Sequence, residues 1–341
     1  MNWKIKREMS NLENNDIVIT SRIRLARNLK NYKFPINMTQ EESDNVILEV
    51  NNAINKHNKN YKLTYMKELS DVKKNSLIEN HIISPALSKK KDEGAFLLSH
   101  DQKVSIMINE EDHIRIQTIG DGLSLKECFD ISNNVDDILE EYVEYAFDNE
   151  LGYITSCPTN IGTGMRASVM LHLPALSITN QIDKLLYGVS QLGVAVRGVY
   201  GEGTKSIGHL YQISNQGTLG ASEETLIDKI TQIVMQIIDK EKRTREHLIK
   251  SNYDELEDDF YRAYGLLTNA RKISVDEAMK LLSLIKLGSE MGITPMVKGK
   301  NIYQLMIWVQ PNNISTIENT ELSSKERDKK RAEIIRNELL R

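Results

Sequence analysis

Short runs of apolar and β-branched residues predict a set of strands. Residues 16 to 20 form the first run, and others follow at Ala95 to Ser99, Val104 to Ile108 and His113 to Ile119. Runs of this length and composition are typical of strands. Because only residues 100 to 103 separate two of them, we expect an antiparallel meander. Further strands are predicted at Leu151 to Ser156, Gly193 to Val199 and Leu210 to Asn215.

A helical period predicts the remaining elements. Gln40 to His57 is amphipathic, and Thr39 with Glu42 forms a capping box at its start. Other helices are predicted from near Ala167 and at Asn133 to Phe147, Ala175 to Leu192 and Ser222 to Glu246. Beyond residue 245 the sequence is charged and helix-forming, without strand-like runs, and its tail, Leu322 to Arg341, is predicted to be a surface helix. We therefore place a domain boundary near residues 245 to 252. Before it lie an N-terminal extension at 1–15 and a first domain at 16–245, and after it lies a helical domain at 253–341.

Composition and charge exclude several classes of protein. The 341 residues are 40% hydrophobic and 27% charged, which is ordinary for a globular protein. The sequence contains no apolar run of 18 residues, so no membrane span is predicted. Residues 1 to 13 lack the apolar region of a secretory signal, so we expect the protein in the cytoplasm. A net charge of −4 argues against nucleic-acid binding, and two cysteines form neither a disulfide framework nor a metal-ligand pattern.

The stretch from Cys157 to His172 combines a thiol, two glycines and an arginine. A Gly-Thr-Gly turn allows backbone N–H groups to approach an anion, and the helix expected near Ala167 would direct its positive end to the same place. Phosphate is therefore the first ligand to consider. Because Met165 and Arg166 follow Gly164, the Walker pattern of nucleotide-binding loops is absent. A plain strand-to-helix turn is the alternative.

Arginines and carboxylates recur at predicted strand edges. On an extended strand Arg22 and Arg24 point to one face, which suits a polyphosphate; two surface arginines in ion pairs are the alternative. The acids Glu110, Glu111 and Asp112 directly precede a strand. Adjacent carboxylates suit a guanidinium substrate that must lose a proton, although a solvated acidic turn is the alternative.

Four segments in this order resemble the ATP:guanidino phosphotransferases, whose members include creatine and arginine kinases: residues 21–27, 109–115, 157–168 and 197–203. The resemblance runs from about residue 16 to 245. The loop Gly201-Glu202-Gly203, the run Ile83-Ser84-Pro85 and the tail 327–332 are similar to those of the bacterial protein-arginine kinases of this family, which phosphorylate arginine side chains in proteins. The resemblance implies an α+β fold in which helices flank an antiparallel sheet and a helical C-terminal domain follows.

The resemblance also implies ATP as a substrate, with Mg²⁺ that is held by the nucleotide and by no protein site of its own. Five arginines would bind the phosphates, with His81 near the nucleotide. The predicted ATP-binding set is Thr20, Ser21, Arg22, Ile23, Arg24, His81, Arg115, Arg166, Ala167, Ser168, Val169, Met170, Arg197, Gly198, Val199, Tyr200, Gly201 and Glu202.

Three residues are predicted to act on the guanidinium. Glu111 would orient it and take its proton, and Glu202 would be the second clamp, so that orientation supplies much of the rate. Cys157 would lie beside it, where positive charge favours the thiolate; a buried inert cysteine is the alternative. Cys128 is interpreted as structural.

The tail residues Arg327, Asp328, Arg331 and Ala332 match the Arg-Asp-x-x-Arg-Ala motif of the protein-arginine kinases, which implies an allosteric phosphoarginine site. A solvated charged helix is the alternative. The resemblance implies these partners: protein substrates bearing arginine, a zinc-containing activator protein, a Clp-type AAA+ protease, a heat-shock transcription repressor and further copies in a homodimer or higher oligomer. It implies no membrane and no direct nucleic-acid partner.

Two departures from the family pattern leave other functions open. Lys205 stands where small-molecule guanidino kinases carry a second glutamate, and Tyr200 stands where they carry a phosphate-binding arginine. The first rival is a phosphagen kinase acting on free arginine; about 15 residues precede the first strand, so we expect no helical N-terminal domain of the kind that shapes the pocket in those enzymes. The second rival is an inactive phosphoarginine-binding adaptor.

Overall fold

A computed structural model describes residues 14–57, 60–199 and 206–340 of the chain. Within them, strands occur at ten places: β1 Val18–Arg27, β2 Tyr61–Tyr65, β3 Ala95–Ser99, β4 Val104–Ile108, β5 Ile114–Asp121, β6 Phe147–Asp148, β7 Gly152–Tyr153, β8 Met165–His172, β9 Val194–Gly198 and β10 Leu210–Asn215. Eight of these form one sheet in the order β2-β3-β4-β5-β1-β8-β10-β9, and β6 pairs with β7. Every pair is antiparallel, so the predicted antiparallel meander is confirmed.

The helices of the described residues are α1 Gln40–His57, α2 Asp71–Glu79, α3 Pro85–Lys89, α4 Leu125–Glu140, α5 Pro174–Ile178, α6 Ile182–Ser190, α7 Glu223–Ser251, α8 Tyr253–Asn269, α9 Val275–Glu290, α10 Ile302–Trp308, α11 Pro311–Ile317 and α12 Ser324–Leu340. The capping box of α1 is present, because Thr39 N donates to Glu42 at 2.8 Å and Glu42 N donates to Thr39 Oγ1 at 3.2 Å. The mixed α+β class is confirmed. No helix of the described residues is long and apolar enough to cross a membrane.

The two faces of the sheet pack differently. One face is apolar, and residues such as Ile23, Ile116 and Val169 pack on it against α1, α4 and α7 in the largest core cluster. The other face is polar at its centre. At one end of this polar face Met170 and Leu210 pack into the core of the C-terminal helices. The C-terminal helices therefore cover part of the face that carries the arginines.

Four predictions of local structure were wrong in type, number or bounds. Residues 165–172 form strand β8 and not a helix, because Ala167, Val169 and Leu171 enter the core while Arg166 and Ser168 lie on the opposite face, which is a period of two. The predicted helix at 175–192 is two helices, interrupted where Asn180 has a left-handed backbone (φ 55°). The predicted helix at 133–147 is α4, which begins at Leu125 and ends at Glu140. The predicted strand at 151–156 is limited to Gly152–Tyr153.

A hydrogen-bonded row of three side chains joins the sheet to the C-terminal helices. Ser283 Oγ in α9 lies 2.8 Å from His172 Nε2 and 2.8 Å from His209 Nδ1. Burial, with the nearby Lys280, lowers the pKa of His209 to about 4, and burial likewise lowers the pKa of His172. Both imidazoles are therefore neutral in the folded protein at neutral pH.

We expect the free energy of unfolding to decrease as pH falls from about 6.5 towards 4. In that window the unfolded chain binds protons that the folded chain excludes, and each such imidazole contributes up to about 1.4 kcal/mol per pH unit. Urea unfolding at a series of pH values measures this slope. His209→Asn, which keeps a side chain that tolerates the left-handed backbone at this position (φ 55°), should reduce the slope. A slope unchanged from wild type would contradict the assignment, and the exposed His247→Gln is the matched control.

Candidate functional site

Five arginines lie on the polar face of the sheet. Cross-strand partners share a face of a sheet, and so do alternate residues of one strand. Arg24 of β1 is opposite Arg166 of β8, and Arg22 lies two residues from Arg24. Arg115 of β5 is opposite Ala26, and Arg197 of β9 is opposite Gln212, whose neighbour across β8 is Met170. The antiparallel register thus gathers guanidinium groups from four strands.

The charges on this face are not balanced within it. Burial lowers the pKa of Arg24 well below its ordinary value, and Arg22, Arg115 and Arg166 lower it further by repulsion. The pKa of Arg166 is lowered by burial and then by Arg197 and Arg115. Arg24 Nε is buried without a hydrogen-bond partner. A buried donor without an acceptor is costly, so this face is built for an anion with several oxygens.

Neutral side chains hold two of the arginines in place. Arg22 Nη2 donates to Gln212 Oε1 at 2.8 Å, and Arg166 Nη2 donates to Ser214 Oγ at 3.0 Å. Because amide and hydroxyl acceptors carry no charge, these two contacts orient the guanidinium groups without neutralising them. Arg115 differs, since its Nη1 donates to Glu110 at 2.6 Å and its Nη2 donates to Glu111 at 3.3 Å.

The acidic turn divides its three carboxylates among different tasks. Asp112 is buried and accepts from Asn28 Nδ2 at 2.6 Å and Ser156 N at 2.7 Å, so it supports the turn. Glu110 is buried against Arg115 and Ser84. The Glu111 side chain is 43% exposed and lines an open cleft of about 760 Å³ together with Arg24 and Arg115. Glu110 also lines this cleft, but its side chain is 1% exposed and paired with Arg115, so Glu111 is the more accessible of the acids.

The environment of Glu111 favours proton acceptance. Burial raises the pKa of its carboxyl group, the neighbouring acids add to the rise, and Arg115 opposes it. A carboxylate with a raised pKa is a better general base near neutral pH.

Cys157 lies on a loop that is tied to the acidic turn. Ser156 Oγ donates to Glu111 O at 2.8 Å, and the Cys157 Sγ is 3.1 Å from Thr159 Oγ1. Cys157 is partly exposed and lies close enough to Arg166 to oppose part of the lowering of the pKa of that guanidinium. Cys128, in contrast, is buried, and burial raises the pKa of its thiol to about 11.

A second, smaller pocket lies beside the arginines, lined by Thr20, Arg22, His81, Ile119, Ser168, Met170 and Gln212. Five of these belong to the predicted ATP-binding set. The side chains of Ile23, Ala167 and Val169 lie instead in the main core on the opposite face. Ser21 is also buried there and donates to Gly122 O at 2.7 Å. Gly198 ends β9 and Val199 follows it, whereas Tyr200, Gly201, Glu202 and Lys205 lie outside the described residues.

The Gly-Thr-Gly turn does not place a helix end at the site, because strand β8 follows it. Its glycines serve close packing of the chain on itself. Gly162 (φ 113°) and Gly164 (φ 64°) have left-handed backbones, and a Cβ at either would lie 2.6 Å from a carbonyl oxygen, of Thr218 and of Ala26 respectively. The attraction for an anion therefore comes from arginine side chains.

Several residues of the site have roles that the sequence reasoning missed. Gln212 and Ser214 lie in the predicted strand at 210–215 and were assigned no role, and Ser84 caps α3 while it donates to Glu110. Their signal in the sequence is weak, namely polar residues at every second position of strand β10. The pairing of Glu110 with Arg115 was not predicted.

The tail motif, residues 327–332, lies within α12. Arg331 is only 1% exposed, and it donates from Nε to Val309 O at 2.8 Å and from Nη1 to Ile273 O at 2.9 Å and Asp328 Oδ1 at 2.6 Å. Ala332 is buried in the C-terminal core, whereas Arg327 and Asp328 are partly exposed. Arg331 thus joins three segments of the C-terminal helices, and α12 is a surface helix with a buried stripe.

The donors of this face are guanidinium groups, which bind anions and do not ligate metal ions. Among residues 14–57, 60–199 and 206–340, no group of three or more His, Cys, Asp or Glu side chains could hold a metal.

Comparison with known proteins agrees with this geometry. Residues 43–244 match the family described as ATP:guanido phosphotransferase, C-terminal catalytic domain, and residues 253–341 match the protein-arginine kinase McsB C-terminal domain. The chain belongs to the ATP:guanido phosphotransferase family. Relatives in that family include the protein-arginine kinases of Clostridium kluyveri (47% identical, 99% of this chain and 98% of that protein) and Halalkalibacterium halodurans (45%, 95% and 92%).

Solved structures of phosphotransferases share the fold. Lombricine kinase aligns with a TM-score of 0.60 at 25% identity, over 69% of this chain and 68% of that one. The duplicated taurocyamine kinase from Schistosoma mansoni with bound transition state analog components aligns with a TM-score of 0.60 at 23% identity, over 72% and 37%. At that identity the second similarity concerns the fold alone.

We expect Arg24→Gln to weaken MgADP binding about 10- to 100-fold, the loss that follows from removing a charge-assisted hydrogen bond. The melting temperature of the unliganded variant should not fall below that of wild type, because the substitution relieves repulsion from three neighbouring arginines. Calorimetric titration and thermal unfolding measure the two effects. Arg262→Gln, at a side chain that is 74% exposed, is the control. Unchanged affinity would remove Arg24 from the phosphate site.

Proposed function

We propose that the protein is an ATP-dependent protein-arginine kinase, which transfers the γ-phosphate of ATP to arginine side chains of proteins. One observation carries this proposal: a face of five arginines, with a buried unpaired Nε on Arg24, borders the cleft that Glu111 lines. A polyphosphate fits the first feature, and a guanidinium group fits the second. The relatives over nearly the whole chain are protein-arginine kinases, which supports the protein substrate.

Charge neutralisation is the main task of the arginines in this mechanism. Catalysis of phosphoryl transfer consists mostly of positioning and of stabilising charge on the transferred group, and Mg²⁺ supplies part of that stabilisation when it is bound with ATP. Arg22 and Arg166 are already oriented by Gln212 and Ser214, so little rearrangement is needed as the nucleotide binds.

The proton of the substrate guanidinium goes to Glu111. A guanidinium nitrogen has no lone pair for attack until its charge is lost. As the N–P bond forms and the bond from the γ-phosphorus to the ADP oxygen breaks, the Glu111 carboxylate accepts the proton, and the products are phosphoarginine and ADP. The raised pKa of Glu111 suits it to this step. Glu202 is proposed as the second clamp on the guanidinium plane, and Cys157 as the thiol beside it.

The wider roles are proposals that rest on the family resemblance. Residues 16–245 are the catalytic unit, after the extension of residues 1–15, and residues 253–341 bind phosphoarginine through Arg327, Asp328, Arg331 and Ala332 and join subunits. Phosphoarginine on a substrate protein directs that protein to a Clp-type AAA+ protease in the cytoplasm. Phosphorylation inactivates a heat-shock repressor, and a zinc-containing activator protein stimulates the kinase.

The deciding experiment incubates the protein with MgATP and either casein or free arginine, and it detects acid-labile phosphate on arginine by mass spectrometry. We expect phosphoarginine on casein, reduced about 10²- to 10⁴-fold by Glu111→Ala, as for the loss of a general base. Glu255→Ala, an exposed acid on α8, is the control. Product from free arginine alone would indicate a phosphagen kinase. If neither casein nor free arginine were phosphorylated even with an activator protein present, the result would favour an inactive phosphoarginine-binding adaptor.

Alkylation tests the position of Cys157. We expect iodoacetamide to inactivate the wild type and the Cys128→Ala variant at similar rates, because Cys128 is buried and its thiol has a pKa of about 11. The activity that Cys157→Ser retains should resist the reagent. Inactivation of Cys157→Ser at the wild-type rate would show that another residue is the sensitive one.

A further inference from the structure

His81 follows helix α2 in a strained conformation. Its φ is 60°, and the hydrogen bonds from His81 N to Ile78 O (2.9 Å) and from Ile82 N to Leu77 O (2.9 Å) form the pattern that usually ends a helix at a left-handed glycine. A residue with a Cβ pays about 1–2 kcal/mol in this region. A glycine would form the turn without that strain, so the side chain has a use. It lines the small pocket beside Arg22 and Gln212.

Two parts of the protein fix this turn from opposite sides. On the sheet side, Gln117 Nε2 donates to His81 O at 2.8 Å. On the other side, Asn80 Nδ2 donates to Asn313 Oδ1 in α11 at 2.7 Å, and Ser76 Oγ donates to the same oxygen at 2.6 Å. The C-terminal helices therefore contact the residues immediately before His81.

Glu79 makes the strongest part of this contact. Its Oε1 accepts from Asn312 N at 3.0 Å and from Asn312 Nδ2 at 2.7 Å, and its Oε2 accepts from Asn313 N at 2.8 Å. These are amides of the first turn of α11, which have no partner within their own helix. Gln310, at the N-cap position, makes no side-chain cap. A carboxylate from α2 thus caps a helix that lies more than 230 residues further along the chain.

The same helix contacts the tail motif on its other side. Arg331 Nε donates to Val309 O, two residues before α11 begins, and Asn313 Nδ2 donates to Ile307 O at 2.8 Å. A continuous set of hydrogen bonds therefore runs from α12 through the start of α11 to Glu79 and the end of α2.

We propose that Glu79 is a positioning residue for the nucleotide: by capping α11 it fixes the strained turn that holds His81 at the pocket, so nucleotide affinity depends on the docking of the C-terminal helices. The inference rests on the proposed ATP site and adds a control of its affinity. Glu79 itself does not line that pocket.

Calorimetric titration of the full-length chain with MgADP tests this, because it needs no protein substrate. We expect Glu79→Gln and Asn313→Ala each to raise the Kd about five- to tenfold, the low end of coupling between sites. Glu79 binds backbone amides of α11, and the Asn313 side chain binds Asn80 and Ser76 of the adjoining turn, so both changes loosen the same junction of α2 with α11. The double variant should therefore show little more than the larger single effect. In kinase assays the KM for ATP should rise more than kcat falls. Glu68→Gln, an exposed acid just before α2, is the control.

Two further variants separate positioning from folding. His81→Gly relieves backbone strain, so its melting temperature should equal or exceed that of wild type while the Kd for MgADP rises. If Glu79→Gln does not fold, Asn312→Ala removes a single side-chain contact and should give a smaller rise in Kd. Wild-type affinity in His81→Gly, or in both Glu79→Gln and Asn313→Ala, would overturn the positioning role alone. A wild-type chain that does not bind MgADP would overturn the ATP site, and this inference with it.

Discussion

Repulsion among like charges is the constraint on which the rest of this structure depends. Five guanidinium groups are held on one face of a sheet, and Arg24 among them lacks a partner for its buried Nε. Such an arrangement persists only if the backbone beneath it cannot move the charges apart. The central position of β1, paired along its length with β5 and β8, supplies that rigidity, and the apolar face behind it packs against three helices. The stability of the core thus maintains a repulsive arrangement that Glu110 relieves in part and that a bound polyanion would relieve further.

On the acidic side of the cleft, three carboxylates are close together and differ in their partners. Glu110 is paired with Arg115, and the buried Asp112 accepts from Asn28 and from the N–H of Ser156 through Oδ1. Glu111 is the most exposed of these carboxylates at the cleft. Ser156 connects this turn to the loop of Cys157 through both its N–H and its hydroxyl. Glu111 and the loop of Cys157 are consequently held together beside the arginines, and the proposed in-line transfer would require such fixed positions.

Sequence reasoning predicted the sheet and the identity of the charged groups better than their individual roles. Strands such as Ala95–Ser99 and Leu210–Asn215 were predicted to the residue, because their apolar runs are bounded by polar turns. Strand β8 was mistaken for a helix, since the expectation of a phosphate-binding turn outweighed its alternation of core and polar residues. The choice of Glu111 over Glu110 came from family resemblance, and the buried position of Glu110 depends on Ser84 and Arg115, which are distant in sequence from one another. The cap that Glu79 places on α11 is invisible in the sequence, because propensity describes only local contacts.

The junction of the two halves of the chain bears on how separable they are. Arg245 of α7 contacts Glu241 and Asp16 at 2.9 Å and Glu290 of α9 at 3.3 Å, while Lys286 of α9 donates to Asp16 O at 2.8 Å. A chain that ends at Asn252 would lose Lys286 and Glu290 of α9. Arg245 would then keep only Glu241 and Asp16 as counter-charges and would be more exposed to water. If either half of the chain were joined to the corresponding half of a different protein, that half would need charged residues at the matching positions. These ion pairs therefore make the charge balance of one family segment depend on residues of the other.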